Sequence, residues 1–319
     1  MKRIALSFLV LLTLIIGCKK TNDLVDAQPK TVSDLVAETP TFSLLKAALQ
    51  EAGLNDALKA TNLTVFAPTD DAFKARGFSS PESFKNISDE TLRNVLRYHL
   101  ISGVVTTQTP ELASAVNLPV ETSNASALFL TNASTGLFVN GSRVTKSDQL
   151  AANGIVHTID NLLWPPANDA LTALKSRADV SILVAAITRI ATFRPDLLAI
   201  LDGTTTNQSL KQITLFAPSD AAFAAAGFRT VADINNASLP TLANLISYHA
   251  IQGRLFSNQL QAGQVATLNS SATNRLTIAV PASGPTVKGN RNTTPATIKG
   301  ADVASKNAVI HVIDQVLQP

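Results

Sequence analysis

Histidine and cysteine are the side chains in this chain best suited to chemistry, and both are scarce: four histidines and one cysteine in 319 residues. The histidines form two pairs. His99 follows Tyr98 as His249 follows Tyr248, 150 positions on, and His157 matches His311 at 154. A zinc site asks for three or four nitrogen or sulfur donors. Each half offers two imidazoles and no thiol, so neither metal nor cofactor is expected. His99 continues a stripe of Leu92, Val95 and Leu96, and Ile155 and Ile159 flank His157. Both rings therefore face a core, where an imidazole needs hydrogen-bond partners. Thr64 or Asp70 is the expected partner, with Thr214 and Asp220 as their counterparts.

The recurring carboxylates, Asp70 with Asp220 and Asp160 with Asp314, suit helix caps and structural bonds. No G-x-S-x-G, H-E-x-x-H, Walker or dinucleotide fingerprint occurs, and no catalytic residue is expected. A hydrolase built from two carboxylates has no local signature, and that alternative stays open.

Placing these residues twice requires one unit written twice. TVFAPTDDAF at 64–73 returns as TLFAPSDAAF at 214–223, and NGIVHTID at 153–160 as NAVIHVID at 307–314. In each unit a first helix, 41–51 or from near Asp179, carries Leu44, Leu45, Ala48 and Leu49, or Ile182, Leu183, Ala186 and Ile187. A short strand, 64–67, ends at Pro68, and Thr69 caps the next helix, as Ser219 does in the second unit. A further helix starts near Ser88. Strands fill 104–160, with Asn140-Gly141 as a hairpin signal and an alternating last strand. Helices first and strands after imply an α+β domain. The second unit carries about twelve extra residues before Thr214, expected in the loop-like stretch 202–208, and four more between Gly253 and Asp302.

At the N-terminus, Lys2 and Arg3 precede an apolar stretch, 4–17, that as a helix reaches only about 21 Å, too short to span a bilayer. It is expected to be a signal peptide, 1–17. Cys18 closes the run LIIGC, which resembles the lipobox of bacterial lipoproteins and implies lipid on its sulfur, membrane attachment and an envelope location, outer membrane or cell surface. Residues 18–30 are then anchor and tether, with domains at 31–166 and 167–319 joined by a stiff junction at Trp164-Pro165-Pro166. Without Lys2 and Arg3 the formal charge falls from +3 to +1, and the charges are scattered, so no nucleic-acid partner is expected.

The TVFAPTDDAF and TLFAPSDAAF segments, the Tyr-His pairs and the closing NGIVHTIDNLLWP and NAVIHVIDQVLQP segments resemble the blocks of the fasciclin domain, twice over, from about residue 30 to 319. The resemblance implies two tandem α+β domains, each a bent, wedge-like sheet packed with a cluster of helices. It also implies non-enzymatic adhesion or protein interaction outside the cell, with Tyr98, His99, Tyr248 and His249 in the segment associated with contact. The ligand does not carry over and is open between a protein, a matrix component and a glycan. A surface polysaccharide is the alternative reading. Sugar platforms use exposed aromatic faces, and Trp164 and both tyrosines lie inside the repeat motifs, which weighs against it.

Overall fold

The Thr31 hydroxyl accepts the Asp34 N–H, and the Asp34 carboxylate accepts that of Thr31 at 2.8 Å; this reciprocal cap starts α1 (Val32–Glu38). A 3-10 turn, Pro40–Phe42, leads into α2 (Ser43–Glu51), whose Leu44, Leu45, Ala48 and Leu49 are buried as the spacing predicts. The structure is a computed structural model and describes residues 29–269 and 273–319. The expected signal peptide, the lipid site at Cys18 and nearly all of the tether lie outside the described residues.

The first copy continues through β1 (Leu63–Pro68), α3 (Asp70–Ala75), α4 (Asp89–Tyr98) and β2 (Leu100–Ser102). Five strands follow: β3 (Leu118–Glu121), β4 (Ala127–Ala133), β5 (Gly136–Val139), β6 (Ser142–Ala151) and β7 (Gly154–Ile159). The β5–β6 hairpin turns at Asn140 and Gly141, both at positive φ (46° and 80°), as the Asn-Gly signal requires. Among the described residues the sheet order is β2-β1-β7-β6-β5-β4-β3, with β1 and β7 parallel and the remaining pairs antiparallel. Just past β3, the Ser123 N–H donates to the Leu100 carbonyl of β2 at 2.8 Å. The two sheet edges thus touch at one end, which bends the sheet into a nearly closed wedge.

That curvature creates two cores. Val65 and Ala67 of β1 and Val156 of β7 pack with Leu45, Leu49, Phe73 and Leu96 beneath the helices. Phe66 and Ile159 point the other way, into the sheet's interior, with Tyr98, Leu128, Leu130 and Val139. Every residue of β1 and β7 is consequently buried, although side chains alternate along each strand.

The second copy repeats the plan as α5 (Ala170–Lys175), α6 (Ser181–Ile190), α7 (Pro195–Leu201), β8 (Ile213–Pro218), α8 (Asp220–Ala225), α9 (Val231–Asn236) and α10 (Leu239–Tyr248). Its strands are β9 (Ala250–Gln252), β10 (Gly263–Ala266), β11 (Arg275–Ala279), β12 (Thr286–Lys288), β13 (Ala296–Ala304) and β14 (Ala308–Ile313), in the matching order β10-β11-β12-β13-β14-β8-β9. The extra residues before Thr214 are not confined to 202–208. Asn153 donates to the Leu58 carbonyl and its counterpart Asn307 to that of Ile200, so the offset climbs from 138 at Ser43/Ser181 to 142 at Leu58/Ile200 and 150 at Leu63/Ile213. Part of the insertion turns the 3-10 turn Asn55–Lys59 of the first copy into the longer helix α7, which buries Leu197, Ile200 and Leu201. An apolar face at helical spacing made this segment a helix, and only its tail is loop.

Candidate functional site

The Tyr-His pair ends α4, where Tyr98 is the last helical residue and His99 the C-cap. The His99 ring bridges two elements: Nδ1 bonds the Val95 carbonyl one turn back at 2.8 Å, and Nε2 accepts the Leu163 N–H beyond β7 at 3.0 Å. A carbonyl partner and an N–H partner fix a single neutral tautomer, protonated at Nδ1. His249 does the same with the Leu245 carbonyl at 2.7 Å and the Leu317 N–H at 2.8 Å. Burial disfavours the imidazolium and pushes both rings down to about 4. The Tyr98 hydroxyl donates to the Ala127 carbonyl at 2.9 Å and accepts from Asn140 Nδ2 at 2.7 Å; Tyr248 bonds Arg275 and Asn290 instead.

The second histidine pair is held in the opposite tautomer. His157 Nε2 bonds the Val105 carbonyl at 2.8 Å, while Nδ1 accepts the Asp148 N–H at 3.2 Å, and the ring stacks on Phe66 with centroids 5.2 Å apart. His311 repeats the two bonds with the Leu255 carbonyl at 3.0 Å and the Asp302 N–H at 3.3 Å, and its ring lies tilted against Phe216 with centroids 5.7 Å apart. Burial lowers the pKa of both, and the nearby Asp148 or Asp302 carboxylate opposes it without prevailing. Each of the four rings therefore gives its one lone pair to a backbone N–H.

Thr64 and Asp70 are not the histidines' partners. The Thr64 hydroxyl donates to the Gly103 carbonyl at 2.6 Å and accepts the Val105 N–H at 2.9 Å, tying the chain after β2 to β1, and Thr214 does so with Gly253 and Leu255. Asp70 caps the neighbouring helix α2 through Ser43 Oγ and the Leu44 N–H, as Asp220 caps α6 through Ser181 and Ile182. Backbone groups next to each ring met its needs first. Asp160 and Asp314 accept the Arg143 and Thr297 N–H groups.

The Tyr-His segment was the expected place of contact, yet Tyr98, His99, Tyr248 and His249 are at most 1% exposed. A side chain inside the core has no face for a partner, so these four residues are architecture. Reading the sequence for histidine overlooked Asp148 and Asp302, which recur at the same offset of 154. They sit at positive φ (54° and 61°) where β6 and β13 bulge, and their carboxylates hold the Thr107 and Ser257 N–H groups. Repeat-pairing of aspartate was the available signal.

The two copies also touch each other. The Asn117 amide donates to the Arg254 carbonyl at 2.8 Å and accepts from Gln259 Nε2 at 2.9 Å, and Gln259 also reaches Thr131 Oγ1 at 3.0 Å. The Arg254 guanidinium lies 4.3 Å from the centre of the Phe129 ring, and burial lowers its pKa to about 10. At the junction, Ala167 pairs with the second copy: its N–H donates to Ala304 and its carbonyl accepts from Lys306 at 3.0 Å. Trp164, at the end of the closing repeat motif, is 41% exposed. A groove along α4 lined by Arg93, Arg97 and Asn124, and a cleft between the copies lined by Arg76, Arg177 and Lys299, meet at Trp164 and Pro165.

The fasciclin domain family model matches residues 40–165 and 191–319. Transforming growth factor-beta-induced protein ig-h3 of Sus scrofa is 36% identical over 144 residues, 43% of this chain and 20% of that protein, so the chain spans about a fifth of that relative's length. Cell surface glycolipoprotein MPB83 of Mycobacterium bovis is 28% identical over 141 residues, 43% of this chain and 61% of that one. The solved FAS1 domain pair from the insect cell adhesion molecule Fasciclin I is 18% identical with a TM-score of 0.39, covering 86% of this chain and 96% of that chain. Fasciclin domains are linked to cell adhesion and protein interaction. The two matched stretches take in most of the sequence, and the chain belongs to the fasciclin domain family as a tandem pair of its domains.

Proposed function

We propose that this chain is a non-enzymatic adhesion lipoprotein of the bacterial surface, anchored by lipid on Cys18 and presenting two fasciclin domains to a protein partner. The observation that carries this reading is the direct contact between the copies, from Asn117 to Gln259 and from Arg254 to Phe129. Two modules held at one spacing turn weak single contacts into firm attachment, because the second contact forms at high effective concentration. The shared histidines and tyrosines are bonded to the protein itself, which leaves binding to the exposed surfaces. A relative named as a cell surface glycolipoprotein supports the location. Among the described residues no helix is long and apolar enough to cross a membrane, which accords with attachment by lipid.

A surface polysaccharide as partner is the second reading, favoured by the exposure of Trp164. Labelled palmitate and protease shaving of intact cells, followed by pull-down with the full chain, test the main reading. Label on the unaltered chain but not on Cys18→Ser, loss of the chain on shaving, and capture of a protein partner are expected. Label that persists on Cys18→Ser, or a chain that resists shaving until cells are opened, overturns it.

A further inference from the structure

The contact between the copies is heterologous, because one surface of the first meets a different surface of the second. The first copy gives the outer side of β4, with Phe129 and Thr131 beside Asn117, and the second gives the segment after β9, with Arg254 and Gln259. Each copy carries both surfaces, so the segment after β2 and the outer side of β11 are the two that this pairing does not use. Both display exposed aliphatic side chains. The Thr64 hydroxyl holds Gly103 and Val105 on either side of Val104, the counterpart of Arg254; Thr64 lies opposite Ile155 of β7, and Ile155 opposite Leu150 of β6. Val104 and Leu150 therefore share one surface, where they are 50% and 78% exposed. In the second copy Tyr248 bonds the Arg275 carbonyl as Tyr98 bonds that of Ala127, an offset of 148, so Thr277, Ala279 and Val280 answer to Phe129, Thr131 and Asn132. Thr277 and Ala279 are exposed, and so is Val280 at the end of that face.

Resting on the adhesion reading above, we propose that chains associate end to end, the Val104–Leu150 surface of one docking on the Thr277–Val280 face of the next. The occupant is a second chain because the molecule already seats the homologous segment on the homologous face within itself. Where the internal contact lays Arg254 over the Phe129 ring, the external one has aliphatic groups on both sides, and removing Val104, Leu150 and Val280 from water drives it. Charge supports the pairing. Residues 98–142 of the first copy contain Glu111 and Glu121 and no lysine or arginine, whereas 248–292 of the second contain Arg254, Arg275, Lys288 and Arg291 and no acid. Lys288 stands opposite Thr277, and Arg275 is two residues from it on β11, neither of them ion-paired among the described residues. Lys30, whose carbonyl holds Ala152 next to the aliphatic surface, is paired with Glu38. Opposite signs steer unlike surfaces together and keep like surfaces apart, so the contact is head to tail and open-ended.

Cross-linking of the full chain in intact cells with a short, membrane-permeant bis-maleimide tests this, the unaltered chain with its one cysteine, Cys18, giving the background. Val104→Cys and Val280→Cys in the same chain should yield a ladder of dimer, trimer and longer products. Either change alone should yield none, and cells making both single variants should stop at the dimer. That dimer should exceed the product of Val104→Cys with Val231→Cys, a comparably exposed valine on α9, at least ~10-fold, because docking concentrates the paired thiols. Leu150→Lys added to Val104→Cys sets a cation against Arg275 and Lys288 and should cut the dimer at least ~10-fold while leaving thermal melting unchanged. Products from one single variant alone, a yield no higher than with Val231→Cys, or a yield untouched by Leu150→Lys overturns the inference. If no ladder forms while the pull-down still captures a different protein, the end-to-end contact falls and the adhesion reading stands; if the pull-down captures nothing either, the adhesion reading falls with it.

Discussion

His99 accepts the Leu163 N–H through Nε2 at 3.0 Å, and this bond fastens the end of α4 to the segment that follows β7. Replacing His99 by alanine leaves that buried N–H and the Val95 carbonyl unpaired and opens a cavity. The expected cost is roughly 3 kcal/mol. Trp164, the chain's one tryptophan, stands next to Leu163, so its fluorescence reports denaturation of the first copy directly. An unchanged denaturation midpoint would show that the ring is not a fastener.

Acid should weaken both copies through the same rings. His99 and His249 titrate near 4 when folded against about 6.5 when unfolded, so between those values the unfolded chain binds more protons and stability falls as pH falls. The contribution is complete above pH 6.5, declines below it and is exhausted near pH 4, amounting to roughly 3 kcal/mol per ring. Thermal melting at pH 7.5, 6 and 5 measures this above most carboxylate titration. His99→Gln should flatten the slope of the first copy, and equal slopes in both chains would contradict the assignment.

Asn153 should prove as important as the histidines. Its Oδ1 accepts the Val32 N–H at 2.8 Å and its Nδ2 donates to Leu58 and Ala60, joining α1 and the 3-10 turn to the start of β7. Asn153→Ala should cost roughly 2 kcal/mol. The loss should appear first as faster amide hydrogen exchange in α1, and unaltered protection there would refute the role.

The sequence disclosed most of this architecture where local pattern and repetition agree. The Leu/Val/Leu stripe of α4, the caps at Thr69 and Ser219, and the Asn140-Gly141 turn each follow from side-chain chemistry within a few residues. The partners of the histidines did not, because Leu163 and Val105 contribute only backbone, which no sequence pattern marks. Contact between the copies was equally hidden. Arg254 stands where the first copy has Val104, 50% exposed, so comparison of the repeats treats it as an ordinary difference. Trp164 lies inside the closing motif in sequence, and only the structure shows that exposure begins there: Leu162 and Leu163 are buried while Trp164 is 41% exposed.

Arg254 should hold the copies together and not merely fill space. Its guanidinium also bonds Gln212 and the Ser305 and Lys306 carbonyls, so Arg254→Ala strips the second copy of these bonds and uncovers Phe129. Limited proteolysis should cut at the junction around residues 164–169 at least ~5-fold faster in the variant, given a local loss of about 1 kcal/mol or more. Cutting at the original rate would mean that Arg254 serves its own copy alone.

Spin labels at Lys46→Cys in the first copy and Arg229→Cys in the second, in a chain carrying Cys18→Ser, measure the spacing of the two modules directly. A single narrow distance distribution that broadens when Asn117 and Gln259 are both changed to alanine is what a coupled adhesive pair requires. A broad distribution in the chain with Asn117 and Gln259 intact would mean the modules move independently, and presentation at fixed spacing would fail.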